Sequence, residues 1–185
     1  MEGDTHSYIH IRCRLRNYAI NTLKISSIAD LVCRKLRVYQ HDLGVQFVSA
    51  AKIRRLNRRY RAIDQSTDVL SFPQISWPKA QPVHAQGARH GNSRKHVPSD
   101  VLGDLVISLN DAARNAKNIG QTLDREVGFL LVHGILHLCG HDHIKKKDEI
   151  KMLRAQHQLM ALLESQGKKP LWEKCVRKTP QRGLH

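Results

Sequence analysis

LDREVGFLLVHGILHLCGHDH, residues 123–143, contains the longest apolar run in the chain, and the rest of the molecule has to be arranged around it. Across residues 127–138 that run is broken only by Gly128, His133, Gly134 and His137. It is shorter than the roughly 18 apolar residues of a membrane span, so it reads as a helix buried in a protein core. His133 and His137 stand four apart, which puts both rings on one helical face one turn apart. Two imidazoles so placed can share one ion at about 2.0–2.1 Å. Gly140 follows, and glycine supplies the left-handed conformation that ends a helix and turns the chain back. A third imidazole then comes within reach, from His143 or from His141; the longer arm of His143 suits a full reversal better. Three histidine ligands leave a fourth position open, as catalytic zinc sites do and closed structural sites do not.

Spacing of i, i+4 and i+10 with glycine at i+7 also occurs in the zinc-protease pattern H-E-x-x-H-x-x-G-x-x-H. Those enzymes place a glutamate directly after the first histidine as general base. Gly134 occupies that position here, so a zinc metalloprotease is an alternative that lacks its base. Cys139 reads as a small buried hydrophobe. Asp142 is a candidate to orient a ligand histidine. Glu126 is either a second such partner or part of an exposed first turn.

Working outward, apolar periodicity predicts further helices over residues 25–36, 50–60, 109–118 and 148–164. Strands are expected over 8–14, 43–48, 68–72 and 102–108. These elements alternate without strict βαβ order, which implies an α+β fold: a small mixed sheet packed against helices, with the metal-binding helix in the C-terminal half. One domain over residues 1–167 is expected. Residues 74–100, rich in Pro, His, Gly, Ser and basic side chains, read as a long loop insertion. Residues 168–185 read as a basic, disordered tail.

Lys and Arg number 31 against 16 acidic residues, a net charge of +15 that favours a polyanionic partner. The charge is clustered, most densely in the 50–60 helix, where Lys52, Arg54, Arg55, Arg58 and Arg59 surround Ile53 and Leu56. Four cysteines show no paired spacing, so neither a disulfide framework nor a cysteine zinc knuckle is expected. The N-terminal stretch lacks the apolar core of a secretory signal, and no membrane association is expected. A cytoplasmic location is expected, or an organelle matrix in a eukaryote.

Three blocks carry a resemblance to a known family. HGILHLCGHDH (residues 133–143) matches H-G-x-L-H-L-x-G-[YH]-D-H throughout, and RRYRAIDQSTDVLSFP (58–73) contains Y-R-x-x-D-x-x-T-D-V-L-S-F. With LGDLVIS (102–108) they resemble the YbeY family of metal-dependent endoribonucleases, which mature ribosomal RNA. The resemblance spans roughly residues 8–166. It implies one Zn2+ held by His133, His137 and His143, with Arg61 as the catalytic or phosphate-contacting residue. It implies single-strand-specific cleavage in small-subunit rRNA processing, with precursor rRNA and the small ribosomal subunit as partners. Asp68 and Ser71 are expected to hold sheet and loop geometry. A non-catalytic RNA-binding assembly factor with a structural metal is the second alternative. Residues 74–100 and the basic tail look like departures from the family pattern.

Overall fold

A computed structural model describes residues 8–75, 101–142, 145–166, 169, 170 and 172–179. Its elements are β1 (Ile9–Cys13), β2 (Tyr18–Ile20), α1 (Thr22–Lys35), β3 (Asp42–Val48), α2 (Ala50–Arg61), β4 (Val69–Pro73), β5 (Val101–Ser108), α3 (Leu109–Asn118), α4 (Leu123–Leu138), α5 (Lys146–Glu164) and β6 (Val176–Lys178). The main sheet has the order β1-β3-β5-β4, with β1, β3 and β5 parallel and β4 antiparallel at the edge. This is the expected α+β arrangement. Asn21, Ser49, Ser108 and Thr122 open α1 to α4, each side chain accepting a backbone N–H of the first turn. Such caps contribute about 1 kcal/mol each.

Side-chain alternation divides the sheet into two faces. Leu43, Val45, Phe47, Leu105 and Ile107 point into the main core, where they meet Ile28 and Val32 of α1, Ala112 of α3, Leu131 and Ile135 of α4, and Leu159 of α5. Val106 and Leu70 point the other way and form a smaller cluster with Val48 and with Ile53 of α2. The edge strand β4 therefore lies between α2 on one face and α4 on the other. Among the described residues no helix is long and apolar enough to cross a membrane.

Residues 172–179 are ordered and correct the expectation of disorder for that part of the 168–185 tail. β6 pairs antiparallel with β2, and Trp172, Cys175 and Val176 are buried. Both carboxylate oxygens of Asp124 accept from this segment, from Lys174 N at 2.9 Å and Val176 N at 2.8 Å. Three apolar anchors outweigh the surrounding basic charge, which had dominated the composition. The domain thus extends at least to Thr179, whose Oγ1 donates to Arg16 O at 2.6 Å. Residues 180–185 lie outside the described residues, as do 76–100 of the expected loop insertion.

Candidate metal centre

The buried helix α4 ends as its glycine implies. Gly140 takes φ +80°, His141 N donates to Leu136 O, and Gly140 N donates to His137 O, both at 3.0 Å. This pair of bonds is a Schellman cap. It fixes where the chain turns relative to the last helical histidine.

Within α4, the Nε2 atoms of His133 and His137 face one another at 3.1 Å, their rings 4.7 Å apart and inclined at 77°. The other nitrogen of each ring is held from behind. His137 Nδ1 lies 2.9 Å from the backbone carbonyl oxygen of His141, which can only accept, so Nδ1 carries the hydrogen. His133 Nδ1 lies 3.2 Å from Gln156 Oε1, to which it donates in this orientation of the amide. In neutral rings both Nε2 atoms then present lone pairs to each other. That arrangement repels unless a cation lies between them. Two nitrogens bound to one ion at about 2.0–2.1 Å are about 2.9 Å apart at a right angle and about 3.3 Å apart at the tetrahedral angle. The observed separation falls between these values, so the pair fits a transition metal. Imidazole ligands oriented through the second nitrogen are the usual arrangement around such ions. Phe129 stacks on His133 at 6.0 Å and 15°, further limiting the ring.

The third expected ligand, His143, lies outside the described residues. Among the described residues no group of three metal-binding side chains is found. His141 is 7% exposed, so it is buried rather than turned to solvent, and its carbonyl orients His137. Asp142, a candidate for orienting a ligand histidine, is exposed. Glu126 is buried, not part of an exposed turn, and accepts from Gln121 Nε2. Burial, then the nearby Asp68 charge, raises its carboxyl above the usual range. Cys139 is fully buried, and burial raises its thiol.

Gly134 follows His133 and packs on the sheet. A Cβ at this position would lie 2.7 Å from Leu105 Cδ2. Glycine thus lets α4 approach β5 closely, and Ser71 Oγ of β4 donates to Gly134 O at 3.4 Å. A protease's glutamate would have to displace Leu105.

Arg61 is the last residue of α2, and the left-handed Ala62 caps the helix behind it. Ile53 and Asn57 are buried, whereas Lys52, Arg54, Arg55, Arg58, Arg59 and Arg61 are exposed. Tyr60 meets Phe72 edge-on at 5.1 Å, which sets the end of α2 beside the last residues of β4. On the opposite face Leu138, next to His137, fills the space beside Gly103, which is paired with Pro73. Tyr60 and Leu138, the neighbours of Arg61 and His137, therefore meet the same end of the edge strand from its two sides. The connection from α2 to β4 is pinned: Arg54 bonds Asp64 at 2.8 and 2.9 Å, Asn57 donates to Gln65 O, Ser66 to Asp111, and Asn115 to Asp68. The Arg54 guanidinium holds the Asp64 carboxyl below its ordinary value.

Gln156 was missed in the sequence. Its signal is a polar residue on the buried stripe of α5, among Met152, Ala155, Leu159 and Leu163.

The profile of the family described as endoribonuclease YbeY matches residues 10–164. Curated endoribonuclease YbeY proteins are similar to this chain. That of Latilactobacillus sakei is 34% identical over 137 residues, covering 74% of this chain and 84% of its own. That of Clostridium botulinum is 34% identical over 125 residues, with 66% and 75% covered. That of Myxococcus xanthus is 43% identical over 119 residues, with 64% and 35% covered. A Thermotoga maritima protein solved in solution shares the fold, with a TM-score of 0.51 at 21% identity, covering 83% of this chain and 90% of the other. The same histidine and Tyr-Arg blocks that carried the resemblance lie inside the matched span, and the chain belongs to the YbeY family of endoribonucleases.

Proposed function

We propose that this protein is a zinc-dependent endoribonuclease that cuts single-stranded precursor ribosomal RNA during small-subunit maturation. His133, His137 and His143 hold one Zn2+, and Arg61 contacts the scissile phosphate. The precursor rRNA and the small ribosomal subunit are its partners, in the cytoplasm or, in a eukaryote, an organelle matrix. The observation that carries this reading is the pair of Nε2 atoms at 3.1 Å, with the second nitrogen of each ring held against a polar partner.

A divalent ion bound there supplies Lewis acidity toward a phosphoryl oxygen and toward water. The chain's own groups do the rest. Arg61 is exposed at a helix end, where its planar guanidinium can clamp a phosphodiester through two parallel hydrogen bonds and offset charge that builds on it. The exposed arginines of α2 neutralise flanking phosphates and release their counterions, binding backbone rather than sequence. Gly134, pressed on Leu105, leaves no room for the base of a peptide-cleaving enzyme.

Cleavage of a labelled precursor rRNA fragment by the full-length protein, compared with His137→Ala, tests the reading. Loss of cutting in the variant is expected. Equal cutting by both proteins would refute it.

A further inference from the structure

Gln156 is 2% exposed, and its Oε1 meets His133 Nδ1 at 3.2 Å. Its Nε2 is buried with no hydrogen-bond partner among the described residues. An amide on an otherwise apolar stripe, with one end on a ligand histidine and the other end idle, calls for a reason. We propose that Gln156 is a positioning residue for the metal site, its amide selecting the tautomer of His133 and so opening or closing the Nε2 pair to an ion. This rests on the reading of His133 and His137 as ligands.

A planar amide can present either end to the ring. With Oε1 toward Nδ1, His133 carries its hydrogen on Nδ1, and both Nε2 lone pairs converge; this is the ion-binding arrangement. With the amide turned over, Nε2 donates to Nδ1, and His133 carries its hydrogen on Nε2. That hydrogen then bridges to His137 Nε2 across the same 3.1 Å. The metal-free pair is thereby fully hydrogen-bonded. Passing between the two states, the ring releases one proton from Nε2 and takes one up at Nδ1, with no net change. In either orientation one amide atom stays buried without a partner, as Nε2 does here. Neither state is therefore excluded by the amide's own burial. Glutamine serves both, whereas a glutamate in its ionised form only accepts, and leucine does neither.

Full-length protein labelled with 15N, stripped by chelator and then loaded with zinc, tests this through long-range 1H–15N spectra that distinguish the His133 tautomers. Zinc affinity is read by competition with a chromophoric chelator, and thermal melts check folding. In the parent, hydrogen on Nε2 is expected without metal and on Nδ1 with zinc. Gln156→Glu should hold Nδ1–H in both conditions and bind zinc at least as tightly as the parent. Gln156→Leu should bind zinc about 10–100-fold more weakly with the fold retained. Nδ1–H in the metal-free parent, absence of Nδ1–H in metal-free Gln156→Glu, or parental zinc affinity in Gln156→Leu would each overturn the inference. Failure of the parent itself to bind zinc would bring down the metal-site reading along with it. Zinc binding by the parent that is insensitive to position 156 would bring down this inference alone.

Discussion

Replacing Gly134 by alanine puts a methyl group 2.7 Å from Cδ2 and 3.1 Å from Cδ1 of Leu105. Carbon atoms rest at about 3.5–4.0 Å, so Cδ2 must retreat by roughly 1 Å. Leu105 is fully buried in the main core, and moving it passes the strain to its neighbours. Overpacking of this kind costs about 1–3 kcal/mol. Alanine returns about 1 kcal/mol over glycine inside a helix. Because both Leu105 methyls are too close, a simple swing of the side chain does not clear the new group, and the cost belongs in the upper half of its range. The net loss is about 1–2 kcal/mol, which for a chain of this size lowers Tm by about 2–8 °C. Thermal unfolding followed by circular dichroism measures it. Leu105→Ala removes the obstructing methyls, so adding Gly134→Ala to that variant should stabilise it by about 1 kcal/mol, reversing the sign. A Gly134→Ala protein that melts above the parent would refute the claim that glycine is needed for the approach of α4 to β5.

Arg61→Ala should slow RNA cleavage by about 100–1,000-fold, the usual loss when one donor to developing charge is removed. Its melt should be unchanged, because the side chain is exposed; an unaltered rate contradicts the assigned role. Glu126→Gln should stabilise the protein at neutral pH. The folded state, with its raised carboxyl, binds the proton more tightly than the unfolded chain, so the parent loses stability as pH rises from the ordinary carboxylate value through the raised one. Urea melts across pH should show the gap opening in that window and closing below it; a constant gap would contradict the shift. Burial pushes the Cys33 thiol up to about 12 and raises Cys139 and Cys175 further. Alkylation of the native protein at pH 8 should therefore modify Cys13 alone among the four cysteines, with the others reacting after denaturation; rapid labelling of Cys139 would show that the end of α4 opens.

The helices and the four long strands were legible because their apolar periods are strong and local. The histidine pair was legible for the same reason: i, i+4 spacing has a single geometric meaning on a helix. β2 and β6 were not, since each has three residues and exists only through pairing with a segment at the other end of the chain. Basic residues around Val176 hid the second of them. The role of Gly134 was half legible. Its identity excluded a glutamate base, but only the contact with Leu105 explains why a side chain is excluded there. The partners of the two histidine rings were the least legible. A backbone carbonyl, as at His141, leaves no mark in a sequence, and Gln156 lies on an adjacent helix whose register to α4 is set by core packing.

Zinc titrated into chelator-stripped full-length protein, read as the initial rate of cleavage of a labelled single-stranded RNA, tests the central claim most directly. The rate should rise to a break at one equivalent of zinc per chain in the parent, and stay at background in His133→Ala, His137→Ala and His143→Ala. Cleavage that is already complete in the stripped protein, or that survives in the histidine variants, would contradict a histidine-bound ion at the catalytic centre.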